Sequence, residues 1–384
     1  MIEVEIQVPR TEVTPLHLLK AEHLPASRTA IAGMMNQRAA DAVRTVVDIP
    51  PRVSDRQALA AVDAALACLA APAVPAKYTD AERHSLPEDL YEEHDLFFGA
   101  LRVTGNPVET FTRTVLEAFR SHLHDTLSAG TGLCSGERAQ LREAFLVPFH
   151  ALWRIGVAGT PFAHAARARP QGTDTGTGTA VDADTAAVLG DVQVDPLIRW
   201  RLGHQVFFAL IQALIVSVGC LEECLKDDAE DTEGACRLIE DATVLMAGSG
   251  TSMRYAGDFT RTHYGDAVRP AMMPPHINAK FSGLQLRDHR VLLKLINRTK
   301  PLLASPAPAV DKSYGRLLDA MATAYDAHIS VCSRFGGDRA SSLRTPGSPV
   351  PAAKVLERFR DRRISAATPD RPEESGELRP DLRY

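Results

Sequence analysis

Residues 311–337, DKSYGRLLDAMATAYDAHISVCSRFGG, decide how this chain is read. Leu318, Met321 and Tyr325 step by three and four, and His328 and Cys332 continue the stripe, which is the spacing of one helix face. Phe335 followed by Gly336 and Gly337 is a stop signal. The segment predicts a long helix over 312–335 whose inward face ends in a histidine and a thiol one turn apart.

Working outward, the same periodicity recurs along most of the chain. Helices are predicted at 28–46, 55–71, 86–102, 107–129, 136–157, 183–226, 235–248 and 283–299, while residues 2–8 could form a short strand. The most apolar run, Val206–Leu221, is interrupted by Gln212 and Ser217. It falls short of a membrane span and reads as the central helix of a bundle. The GSGTS run from Gly248 to Ser252 reads as a turn that breaks the preceding helix. Gly172–Thr179, GTDTGTGT, lacks the GK[ST] ending of a phosphate loop and reads as a surface linker. From Asp338 onward Pro, Ser, Arg and Asp dominate, and at most one short helix is expected near Ala352–Arg363. The expected fold class is all-α: a helical bundle forming one domain over 1–337, followed by an irregular tail over 338–384.

Bulk composition narrows the function classes. A formal net charge of -5 and 6% aromatic residues argue against a general nucleic-acid binder. The opening MIEVEIQVPR has no apolar signal core, so a cytoplasmic location with no membrane partner is expected. The six cysteines are then reduced thiols or ligands rather than a disulfide framework. Cys220 and Cys224 share a helix face and read as buried structural thiols. Cys332 is the one whose neighbours suggest chemistry.

On a helix, His328 and Cys332 have Cβ atoms roughly 5–6 Å apart. That is about the distance from a haem iron to the edge of its macrocycle, so the histidine could bind iron while the thiol reaches a vinyl group. The ordinary Cys-x-x-Cys-His attachment motif is absent, and a merely packed His and Cys would share the same stripe. A second helix adds to the case. In residues 280–301, KFSGLQLRDHRVLLKLINRTKP, Ser282 and Gln285 match a capping box and Phe281 a staple. His289 lies three, four and seven positions before the apolar Leu292, Leu293 and Ile296. A histidine directed into a core needs a partner for its ring nitrogens; a backbone carbonyl serves, and so does iron.

The pattern His289-x38-His328-x-x-x-Cys332, with the preceding MRYAGDFTRTHYGDAVRPAMMPPHINAKFSGLQLRDH, resembles the haem-dependent tyrosine hydroxylases of the tryptophan 2,3-dioxygenase superfamily. The likeness is strongest to the branch that acts on 3-methyl-L-tyrosine in saframycin biosynthesis. It covers 253–332 at motif level, through the DFT, VRP, MPP and FSG-to-DH elements. The resemblance implies haem c held by one thioether at Cys332, with His289 and His328 as the two iron ligands. It implies hydroxylation of the ring to 3-hydroxy-5-methyl-L-tyrosine, an antibiotic precursor, using peroxide or dioxygen with a reductant such as ascorbate. It also allows a homo-oligomer.

With two histidine ligands one must leave during turnover. The capped helix favours His289 as the permanent ligand, with His328 as the gate. Arg269 and Arg254 are candidates for the substrate carboxylate, and His263 and Tyr264 for a contact to the phenol or a propionate. His122, His124 and His150 are candidate bases. The alternatives are a hydroxylase of unmethylated tyrosine or another haem enzyme of the superfamily, a bis-histidine haem protein without enzymatic activity, and a zinc site built from the same His and Cys.

Overall fold

The computed structural model describes residues 13–50, 53–71, 90–158, 194–227, 231–273, 286–336 and 350–370. In chain order, β1 (Leu16–Leu18) precedes α1 (Arg28–Met34), α2 (Gln37–Val47), α3 (Asp55–Cys68) and α4 (Leu90–Phe97). β2 (Ala100–Arg102) then leads to α5 (Pro107–Ala129), α6 (Ser135–Leu152), α7 (Pro196–Asp227) and α8 (Thr232–Ala256). A broken helical stretch follows: α9 (Arg261–His263), a π turn over Tyr264–Val268, and α10 (Arg269–Ala271). The remaining helices are α11 (Arg287–Thr299), α12 (Pro308–Gly336) and α13 (Ala352–Ala367). The fold is all-α, and among the described residues the one strand pairing is short: β1 and β2 pair in parallel, Leu16 opposite Ala100 and Leu18 opposite Arg102. The strand considered at 2–8 lies outside the described residues.

The bundle is organised around α7. Among the described helices it is the one long and apolar enough to cross a membrane, yet 94% of its most apolar window is buried inside the protein. Phe208, Ala209, Leu210 and Leu214 are completely enclosed, and burying each large apolar side chain contributes about 1.5–3 kcal/mol. α8 packs along α7, and α12 packs in turn along α8. Cys220 and Cys224 lie on the buried face of α7, as their spacing suggested. Cys134 has a local task, since its Sγ accepts from the Glu137 amide at 3.4 Å and caps α6.

Several predicted helix bounds are corrected, each by a local signal. The single helix expected at 28–46 is two, because the Asn36 side chain accepts from the Ala39 amide and starts α2 afresh. The helix expected over 86–102 stops at Phe97; Gly99 takes φ +67° and turns the chain into β2. α7 begins at Pro196, with the Asp195 carboxylate accepting from the amides of Leu197 and Ile198; residues 183–193 of that predicted helix lie outside the described residues, as does Gly172–Thr179.

The GSGTS run does not break its helix. α8 continues through Gly248–Ser252 to Ala256, because these glycines serve close helix packing. A Cβ at Gly250 would lie 2.9 Å from the Ala324 Cα of α12, and one at Gly248 would run into Ala144 of α6. The hydroxyls are satisfied locally, with Ser249 donating to the Met246 carbonyl and Ser252 to the Ser249 carbonyl, both at 2.7 Å.

The helix expected near Ala352–Arg363 is present, extends to Ala367 and is no loose appendage. It packs on α12, where the Tyr314 hydroxyl donates to the Ala367 carbonyl at 2.9 Å and Arg360 pairs with Asp326 at 2.6 Å. The expected boundary at 337/338 therefore does not separate packed from unpacked chain.

Candidate functional site

α12 carries Tyr325, His328 and Cys332 along one stripe, and α11 carries His289. Both histidines are half-buried. Burial pushes His289 down to about 4, with the positive charges of Arg363 and His328 adding to the effect. Burial likewise lowers His328. Each ring is therefore neutral at physiological pH, the form in which imidazole binds a metal. Among the described residues neither ring hydrogen-bonds to a protein group. Two neutral, unpartnered imidazoles that sense each other, with a thiol one turn from one of them, form a donor set suited to haem. Haem brings its own four nitrogens and asks only for axial ligands. A structural zinc site asks for four protein ligands and a catalytic one for three; among the described residues no group of three or more His, Cys, Asp or Glu side chains converges in that way. Burial raises Cys332 to about 11, so its sulfur is a protonated thiol.

Beneath His289 runs a buried charge network. Arg102 donates to Asp95 through Nε at 2.8 Å and to Asp288 through a terminal nitrogen at 2.6 Å. Gln212 of α7 also donates to Asp288, at 2.8 Å, and to the Leu19 carbonyl at 2.8 Å. Asp288 is fully buried. Burial alone would raise the Asp95 pKa, but the Arg102 charge and hydrogen bonds from His94 and Arg102 hold it below the usual carboxylate value. Arg102 thus ties α4, at the residue after His94, to α11, at the residue before His289. The RDH tripeptide at 287–289 showed only a charge beside the histidine; the partner at Arg102 lies 186 positions away.

An aromatic cluster gathers around His204. His204 stacks on Phe98 with ring centroids 4.3 Å apart and lies 4.4 Å from Trp200. His94 and Phe208 complete the cluster. Burial pushes His204 down to about 3, and the neighbouring charges of His94 and His328 act in the same direction, against a hydrogen bond to the Trp200 backbone. Sequence reading missed His204 and His94. The RLGHQ run looked only like the entry to a core helix, and nothing local linked it to His328.

The other candidates divide. Tyr264 stacks on Phe335 at 4.5 Å, and Phe335 on Phe259 at 5.2 Å. Tyr264 is raised by burial and by its neighbour Cys332, while Arg269 pulls it down. Tyr264, Arg269 and Cys332 therefore come together at the far end of the α12 stripe, and Arg269 has no acidic partner among the described residues. Arg254 instead pairs with Glu137 at 2.5 Å, its side chain 44% exposed. His263 and His124 are exposed. His122 is buried edge-on against Tyr255 at 4.5 Å, beside the Arg199 charge, and is pushed down to about 3. Among the described residues no interaction links His122 to His289 or His328. His150 lies in the last turn of α6. Ser282, Gln285 and Phe281 lie outside the described residues, and α11 starts at Arg287 after the N-cap Leu286, which makes no side-chain cap.

Comparison with known proteins identifies the family of the chain. The family described as SfmD 3-methyl-L-tyrosine peroxygenase matches residues 17–313. The 3-methyl-L-tyrosine peroxygenase of Streptomyces lavendulae is 31% identical over 366 residues, covering 95% of this chain and 93% of that protein. The crystal structure of reduced SfmD, obtained by soaking with sodium hydrosulfite, aligns with a TM-score of 0.63 at 27% identity, covering 84% of this chain and 99% of the other. The family match contains His289 and stops before His328 and Cys332, which the longer pairwise match spans.

Proposed function

The chain belongs to the SfmD 3-methyl-L-tyrosine peroxygenase family, and on that footing we propose that it is a haem-dependent hydroxylase converting 3-methyl-L-tyrosine to 3-hydroxy-5-methyl-L-tyrosine. The observation that carries the reading is the pair of half-buried, neutral imidazoles of His289 and His328, neither hydrogen-bonded to a described residue, beside the Cys332 thiol. Bound between them and joined to Cys332, haem would supply the iron at which peroxide, or dioxygen with a reductant such as ascorbate, is activated.

Residue roles follow from what holds each side chain. His328 sits inside a 29-residue helix packed along α8 and α13, and an attached Cys332 would pin it further. His289 is the third residue of a helix whose N-cap, Leu286, makes no side-chain cap. We therefore assign His328 as the permanent ligand and His289 as the ring that swings aside, the reverse of the order suggested by the expected capping box. Arg269, without an acidic partner and next to Tyr264, is assigned to the substrate carboxylate, for which a planar guanidinium is suited. Arg254 is already engaged by Glu137 and drops out.

His204 is assigned as the acceptor for the phenolic proton. Its Nδ1 lies 2.7 Å from the Trp200 carbonyl, so Nδ1 carries the hydrogen and Nε2 is left as the acceptor. Its lowered pKa keeps the ring neutral through the physiological range. His204→Gln is expected to lower kcat by about 10²–10⁴-fold with haem content unchanged; stopped-flow turnover beside the haem absorbance checks both. The function itself is tested by turnover of 3-methyl-L-tyrosine, L-tyrosine and L-tryptophan with peroxide. Preferred hydroxylation of the methylated substrate is expected. Hydroxylation of plain tyrosine alone would move the chain to the unmethylated hydroxylases, and no product with a haem-loaded protein would make it a non-enzymatic haem protein.

A further inference from the structure

The first turns of α7 present an indole whose hydrogen-bond donor meets no acceptor among the described residues. Trp200 is half-buried, and its Nε1 is shielded from solvent without a hydrogen-bond partner. A buried indole N–H ordinarily finds an acceptor. The residues on either side hold this turn in place. Arg199, fully buried, donates to Asp125 at 2.8 Å, to Asp258 at 3.1 Å and to the Gly130 carbonyl at 2.7 Å. The Arg201 guanidinium lies 4.9 Å from the centre of the Phe97 ring. Between these two anchors the backbone at Trp200 is fixed.

Four residues on, His204 shares that helix face. The two rings lie 4.4 Å apart, tilted by 52°. The Trp200 carbonyl accepts the His204 Nδ1 hydrogen at 2.7 Å, which leaves Nε2 as an acceptor. A donor and an acceptor side by side are the complement of a hydroxyl, which gives one hydrogen and accepts another. Packing sets this pair beside the helix that carries Cys332. A Cβ at Gly203 would run into the Ala256 Cα, and one at the adjoining Gly257 would lie 2.9 Å from Val331 Cγ1. The His204 turn of α7 and the Cys332 turn of α12 therefore press on consecutive residues of α8. The π turn leading to Arg269 packs on α7 as well. We propose that Trp200 Nε1 and His204 Nε2 together read the phenolic hydroxyl of the substrate, the indole donating to its oxygen while the imidazole accepts its hydrogen. The pair selects tyrosine-type over phenylalanine-type amino acids. The inference rests on the substrate reading and the His204 assignment above, and adds Trp200 as a specificity-determining residue.

The test is calorimetric titration of the haem-loaded, full-length protein with 3-methyl-L-tyrosine and with 3-methyl-L-phenylalanine, which differ only in the hydroxyl. The native protein should prefer the phenol by about a hundredfold or more, since a site built for a hydroxyl rejects a ligand lacking it. Trp200→Phe should weaken 3-methyl-L-tyrosine by about tenfold, the loss of one hydrogen bond, and leave 3-methyl-L-phenylalanine within about twofold. Should that change disturb folding, a benzothiophene analogue at Trp200, which keeps the shape of the indole and lacks the N–H, makes the same comparison. Equal weakening of both ligands would assign Trp200 to packing and overturn the proposal. An unchanged preference would also overturn it, because the indole N–H would then meet no ligand. A native protein that hydroxylates 3-methyl-L-tyrosine and gives either of these results keeps its function and loses only the pair. A haem-loaded native protein that binds neither amino acid loses the substrate reading itself, an outcome distinct from both.

Discussion

Replacing Arg102 with leucine is expected to lower folding stability at pH 7 by about 3–5 kcal/mol, the range for removing one partner of a buried ion pair. The guanidinium is 6% exposed and serves Asp95, Asp288 and the Leu19 carbonyl together. Removing it strands two carboxylates in the core. Arg102→Lys should recover little, because one ammonium cannot reproduce the fork that bridges both acids.

The pH dependence separates this mechanism from a simple packing defect. In the native chain Asp95 has a lowered folded pKa, so its stabilisation is complete above the ordinary carboxylate pKa of about 3.9. It is lost as pH falls through the lower folded value. In Arg102→Leu the stranded carboxylates are raised by burial, and the sign reverses: the folded state binds the extra protons, so the deficit should shrink as pH is lowered from 7 toward 5. Urea melts of both proteins at the two pH values measure this. A deficit that does not change with pH would assign Arg102 to packing alone.

The second large effect concerns the two histidines. His328→Ala is expected to abolish haem loading and product formation, a loss exceeding the roughly 10–100-fold seen when only a supporting group of a metal site is removed. His289→Ala should retain covalently attached haem, show an optical spectrum with an open axial position, and react with peroxide faster than the native protein. Haem content and absorbance of the two purified variants distinguish the ligands directly. If His289→Ala loses the haem while His328→Ala keeps it, His289 is the permanent ligand, as the expected capping box had suggested.

Much of this was legible from local pattern. The α12 stripe with His328 and Cys332 one turn apart and the central burial of Val206–Leu221 follow from helical periodicity, a property of neighbouring residues; the link from His289 to His328 came from the family resemblance. What stayed hidden depends on tertiary contact. Gly248 and Gly250 looked like a turn because glycine is a poor helix former; their purpose lies in Ala144 and Ala324, far away in sequence. Asp288 meets its partner Arg102 only across 186 positions of sequence. His204 and His94 come from two other helices and meet at Phe98, and no spacing along the chain connects them to His328. Arg254 and Arg269 looked equivalent, and only the position of Glu137 separates them.

The measurement that bears most directly on the central claim is the intact mass of the purified chain under denaturing conditions, recorded beside Cys332→Ala. The account predicts that haem stays with the native chain after unfolding and leaves the Cys332→Ala chain, although both show a Soret band when folded. Haem that separates from the native chain on denaturation, or a native chain purified without haem, would contradict it.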